Sequence, residues 1–114
     1  MKLILKRYDT KPEVLNVEIT KEFTMNAMNS QYVNTIQSTF LPKNIILVVD
    51  DNYNNNTMQP NVLGITSNVL FMKFDKDLRK FADLNERDIR IILSIIGDAD
   101  IDELYSEMRE IVHG

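Results

Sequence analysis

The chain has no cysteine and no tryptophan, a single histidine, three glycines and three prolines in 114 residues. The lack of cysteine excludes a disulfide framework, a thiol nucleophile and a cysteine-ligated zinc site, and it suits a reducing compartment. With so few glycines there is no glycine-rich loop to cradle a phosphate. The one histidine, His113, is the penultimate residue, where a catalytic imidazole would lack an orienting partner. No apolar run approaches the ~18 residues of a membrane-spanning helix. The apolar patch near the N-terminus, Leu3 to Leu5, is too short for the core of a signal peptide. These absences lead to the expectation of a soluble, cytoplasmic protein with no cofactor, no metal and no catalytic residues.

What is present fits one ordinary globular domain, 1–114, at 44% hydrophobic and 26% charged residues. A chain of this length buries roughly two thirds of its unfolded surface and needs no covalent staples. Formal net charge is −4. Residues 1–57 hold six basic and six acidic side chains, whereas residues 58–114 hold seven basic and eleven acidic. The last eighteen residues carry six acids (Asp98, Asp100, Asp102, Glu103, Glu107 and Glu110) against Arg109. Such a segment repels nucleic-acid phosphates, so no direct nucleic-acid binding is expected; it suits solubility or docking on a basic protein surface.

Periodicity divides the chain. Residues 2–8 alternate, with Leu3 and Leu5 on one face and Ile4 on the other, and residues 13–19 alternate with Leu15, Val17 and Ile19 together; a turn at Pro12 joins them as a hairpin. The three- and four-residue steps of Phe23, Ala27, Met28, Tyr32, Val33 and Ile36 predict a helix over 20–37, capped by Thr20 or Thr24. Ile45 to Val49 is an unbroken apolar run that predicts a central strand with both faces covered. Residues 69–74 predict another strand, residues 62–65 a short strand or bridge, and the mixed-charge residues 75–83 a short helix or linker. Asn85 and Asp88 form a capping-box pattern ahead of Ile89, Ile92, Leu93 and Ile96, and Gly97 is a stop. A second helix is expected from Ile101, Leu104, Tyr105, Met108, Ile111 and Val112. The expected architecture is α+β: a mostly antiparallel sheet of about four strands with one packed helix (1–74), and a C-terminal helical hairpin (75–114).

The run Ile45 to Val49 ends in Asp50-Asp51 and a loop with four asparagines in five positions. Asp50, Asp51, Asn52, Tyr53 and Asn54 are expected at an exposed tip, where function often resides. Asp50, Asn52 and Asn54 match positions one, three and five of a calcium loop, but Asn55 replaces its glycine and Asn61 its closing glutamate. Adjacent aspartates at a strand end point to opposite faces, so they do not converge for acid–base chemistry. Serines 30, 38, 67, 94 and 106 lie in no nucleophile motif. Ile91 and Ile95 fall off the main apolar stripe of their helix, which points to a second buried side or to self-association as a homodimer.

The residues Leu47, Val48, Val49, Asp50 and Asp51, followed by a polar insertion and then Pro60-Asn61, resemble a small domain of unknown function. That family is common in bacteriophages and conjugative elements and sometimes accompanies anti-restriction genes. The resemblance covers residues 1–74 and extends to Val69-Leu70-Phe71 as its closing strand; Val62 stands where the family often has arginine. It implies a strand pair, a helix, a strand of this type and a proline–asparagine loop. It supplies no catalytic residues, only a phage or mobile-element context. Together with the acidic end, that context leads to the expectation of a non-enzymatic binding protein that covers a surface of a host protein, such as a defence or nucleic-acid-handling protein. A homodimeric regulatory module and a small-ligand or metal binder acting through loop 50–61 are the alternatives.

Overall fold

The computed structural model describes residues 1–8, 10–55, 57 and 61–97. Among them are six strands and two helices: β1 (Lys2–Lys6), β2 (Glu13–Asn16), α1 (Lys21–Met28), β3 (Val33–Ile36), β4 (Ile45–Asp50), β5 (Val69–Asp75), β6 (Lys80–Ala82) and α2 (Glu86–Ile96). All the strands join one antiparallel sheet in the order β2-β1-β5-β4-β3, with β6 also paired to β5. The fold is thus α+β, with more strands than the alternating runs alone suggest.

Registry converts the alternation of the sequence into two cores. Ile4 lies beside Phe71, Phe71 beside Leu47, and Leu47 beside Ile36, a row of apolar side chains crossing four strands. This face meets Ile89, Ile92 and Leu93 of α2. On the other face Leu5 lies beside Leu70 and Leu70 beside Val48, and this side meets Ala27 and Met28 of α1. The predicted faces of the first hairpin hold: Leu3 and Leu5 enter the α1-side core, Ile4 the α2-side core, and Leu15, Val17 and Ile19 pack with Leu3 and Leu5. β4 is interior and covered on both sides, as its sequence predicts, but the middle strand is β5.

Helix ends follow from local chemistry. The Thr20 hydroxyl accepts from the Phe23 amide at 3.0 Å and caps α1. The Asn85 side chain accepts from Asp88 N at 2.8 Å while the Asp88 carboxylate accepts from Asn85 N at 3.1 Å, closing the capping box. Gly97 ends α2 in the left-handed region. No helix among the described residues is long and apolar enough to cross a membrane.

Two expectations are corrected. The helix predicted over 20–37 stops at Met28, where Asn29 takes φ 53°. Residues 33–36 instead form β3, because the β-branched Val33, Thr35 and Ile36 fit a pleated strand and pair with β4, whose outer backbone groups need partners. The three- and four-residue spacing there coincides with a helical period without producing one. Residues 75–83 are neither helix nor linker but a hairpin, β5–β6. The Asp75 carboxylate accepts from the amides of Asp77 and Leu78, Arg79 takes φ 52°, and Phe74 meets Phe81 edge-on at 5.4 Å. The second arm of the expected helical hairpin lies outside the described residues.

Phe71 has no exposed surface and sits in the middle of the apolar row. Phe71→Ala is expected to cost about 3–5 kcal/mol, measured by urea unfolding.

Candidate functional site

The strands on the α1 side end together where β1 and β4 finish and β5 begins. A polar cleft of about 450 Å³ opens there, lined by Arg7 and Tyr8 after β1, Met28 and Asn29 at the end of α1, Asp50 and Asn52 after β4, and Thr66, Ser67 and Asn68 before β5. It takes this form because strand pairing stops and side chains take over the backbone groups that a ladder would have satisfied.

Asn61 is the centre of that substitution. Its amide nitrogen donates to the carbonyls of Lys6 and Ser67, each at 3.0 Å, and its carbonyl oxygen accepts from Lys6 Nζ at 2.9 Å. Asn68 works alike: it accepts from Tyr8 N and donates to the Ala27 carbonyl, both at 2.9 Å, tying β1 and α1 to the start of β5. The Ser67 hydroxyl accepts from Asp50 N and donates to the Asn68 carbonyl. The Thr66 hydroxyl donates to the Asn52 carbonyl and accepts from Asn55 N. Between these anchors Val62 and Ile65 form a bridge across Leu63 and Gly64, both with positive φ, the pattern of a tight two-residue hairpin turn.

The expected loop residues separate. Asp50 and Asn52 line the polar cleft, the Asp50 carboxylate accepting from Asn52 N at 3.2 Å. Asp51 instead accepts from the Asn34 side chain at 2.6 Å, toward the β3 edge. Tyr53 packs against the α2-side core, and Tyr53 and Asn54 line a second cavity of about 300 Å³ with Ile36, Leu47 and Leu63. The two aspartates therefore diverge, and positions one and three of the calcium-like spacing share a cleft that position five does not. Asp50 and Tyr53 are half-buried rather than at an exposed tip: Asp50 is still the last residue of β4, and the Tyr53 side chain packs against the core beneath the loop. Among the described residues no three His, Cys, Asp or Glu side chains gather as a metal-binding group.

Ile91 and Ile95 are half-buried and pack against the α2-side core, so part of their surface is used within the chain. Asp98, Asp100, Asp102, Glu103, Glu107 and Glu110 lie outside the described residues.

The cleft presents one cation, Arg7, one carboxylate, Asp50, and the amides of Asn52 and Asn68. That is a surface for hydrogen bonding a small polar group. The hydroxyls of Thr66 and Ser67 are engaged with backbone partners, and Ser67 has neither an imidazole nor a carboxylate on its oxygen. Every buried side-chain nitrogen or oxygen among the described residues has a hydrogen-bond partner. Sequence reasoning missed Arg7, Tyr8, Thr66, Ser67 and Asn68. The available signal was the polar run Thr66-Ser67-Asn68 placed directly ahead of an apolar strand.

No family model, curated protein or solved structure matches the chain. Asn61→Ala removes three side-chain bonds that join β1 to the approach of β5. A loss of about 1–3 kcal/mol is expected in denaturant unfolding, with hydrogen exchange at Tyr8 and Asn68 accelerating first.

Proposed function

We propose that this chain is a small phage-type binding protein of the bacterial cytoplasm that acts by covering a basic surface of a host protein, such as a defence or nucleic-acid-handling protein. The observation that carries this reading is where the charge lies. Residues 98–114 hold six of the seventeen acids and one of the thirteen basic residues, leaving eleven acids and twelve basic residues in 1–97. The excess of negative charge is thus confined to a short segment that follows a complete, capped sheet domain. A concentrated acidic segment is drawn to the cationic channels that bind nucleic acid, and it competes there with phosphate. The domain before it serves as the carrier and as steric bulk.

The test is capture of the host partner by the intact chain, compared with a variant reversed in charge at Asp102, Glu103, Glu107 and Glu110. Losing one member of a buried charge pair costs about 2–5 kcal/mol, so reversal at four sites is expected to abolish capture. Undiminished capture by the variant would rule out the acidic segment as the contact.

The cleft supports a second reading, a small polar ligand held by Arg7 and Asp50. A ligand present at 100 times its dissociation constant adds about 2.7 kcal/mol to stability. A panel of metals, nucleotides and amino acids that leaves the melting temperature unmoved would count against it.

A further inference from the structure

The two outer edges of the sheet are built differently. β2 is guarded in the way natural edges usually are: Lys11 and Pro12 precede it, Glu13 lies in it and Glu18 follows. β3 itself has none of these devices; the nearest charge is Asp51 at the end of β4, whose carboxylate is occupied by the Asn34 side chain. No charged residue occurs between Glu22 and Lys43, and β3 itself contains no proline. The exposed side chains of the strand, Val33, Asn34 and Thr35, are uncharged, and exposed apolar side chains cluster around it. Of the five large hydrophobic side chains on the surface of the described residues, Tyr32 (72%), Val33 (37%) and Phe40 (71%) lie on or beside β3. Among the described residues β3 pairs only with β4.

We propose that β3 is an association edge for a second copy of this chain, the two β3 strands pairing antiparallel about a two-fold axis at Asn34. The backbone pattern permits this register. Asp51 N donates to the Tyr32 carbonyl at 2.9 Å, so residue 32 and, by alternation, 34 and 36 turn their backbone groups toward β4. Val33 and Thr35 turn theirs outward. A two-fold contact requires that each residue meet one on the same face of the sheet, which axes at Val33, Asn34 or Thr35 all satisfy; the axis at Asn34 is the one that pairs both outward residues of the strand with each other, Val33 with Thr35 of the second copy and Thr35 with its Val33. Both pairs then exchange backbone hydrogen bonds. The same register sets Asn34 opposite Asn34 and Tyr32 opposite Ile36, so amide meets amide and aromatic meets β-branched side chain.

The absence of charge within the strand, with the neighbouring Asp51 carboxylate already engaged by Asn34, argues for a second copy rather than a foreign strand. In a chain of net charge −4, the interval from Phe23 to Pro42 is where two copies approach with least like-charge repulsion. The edge is short, well below the size of a permanent interface, so the association is reversible and concentration-dependent. It rests on residues other than those of the acidic segment, so a failed capture leaves this proposal standing, and a failed self-association leaves the capture experiment readable.

Sedimentation equilibrium of the intact chain tests it. The mean mass is expected to rise from 13.3 kDa toward twice that value as concentration approaches the millimolar range. Thr35→Pro removes an outward N–H without touching the β4 ladder, and Thr35→Lys places a charge on the edge; both are expected to hold the chain at the single-chain mass. Val14→Lys, on the β2 edge, is expected to associate like the parent. If Thr35→Pro loses its circular dichroism, Thr35→Lys decides alone. A mass of 13.3 kDa at every concentration, or a Thr35→Lys variant that associates like the parent, would overturn the proposal.

Discussion

Strand β5 is the constraint on which the other elements depend. It is bordered along one side by β4 and along the other first by β1 and then by β6. Its side chains divide between the two cores, Val69 and Phe71 toward α2, Leu70 and Met72 toward α1. One strand therefore holds both layers, and a one-residue slip would exchange the cores and leave each helix facing the wrong set of side chains. The alternation ends at Lys73, which continues the α2-facing row with a charge. Its ammonium lies 3.1 Å from the carboxylate of Asp88, a residue only 7% exposed that also closes the capping box of α2. An ion pair of this kind adds little net stability, but either partner alone would be costly. Its effect is positional: it fixes where α2 begins relative to β5.

At the opposite end of β5 the same problem is solved with amides instead of charges. The strands there are too short to satisfy one another, and the chain must travel from β4 to β5 through a long polar loop. Asn61 and Asn68 act as detached rungs of the ladder, each accepting from one segment and donating to another. This gives the abundance of asparagine and short hydroxyl side chains a structural meaning. An amide donates and accepts at once and carries no charge into a half-buried site. The cleft forms where the loop is secured, and several of its polar atoms are already committed to the fold.

What could be read from the sequence was what depends on neighbours within a few residues. Thr20, Asn85 with Asp88, and Gly97 set helix ends through contacts inside one turn, and the first hairpin announces its faces through strict alternation. β3 was hidden because its identity is decided by β4: Val33 and Ile36 fit a helical stripe as well as an edge strand, and only the open side of β4 breaks the tie. β6 was hidden because its charged tip disguises the single aromatic pair, Phe74 with Phe81, that marks it. The cleft was legible by halves. Asp50 and Asn52 stood out at the end of an apolar run, whereas Arg7 and Tyr8 reach the site only through the pairing of β1 with β5. Among the residues that carried the resemblance, Asp50, Asp51 and Asn61 each have their own local role in the geometry. Asp50 turns the chain, Asp51 holds the β3 edge, and Asn61 bridges β1 to the approach of β5.

The division of charge links the two proposed surfaces. Residues 1–97 are close to electrically neutral, so the body supplies little of the repulsion that keeps copies apart; the acidic segment 98–114 supplies most of it. An unguarded edge on a near-neutral body is tolerable while that segment keeps its charge. Docking of the segment on a basic partner would cancel its charge and leave the β3 edge to act with its repulsion removed. On this reasoning partner binding and self-association are coupled through electrostatics rather than through a change of shape. Added salt should mimic the partner, because screening shortens the reach of the segment's charge to about 8 Å at physiological ionic strength. Strand pairing at β3, which depends on backbone hydrogen bonds and apolar side chains, is much less sensitive to salt. Self-association should therefore strengthen as salt rises, the reverse of what a dimer held together by its acidic segment would do.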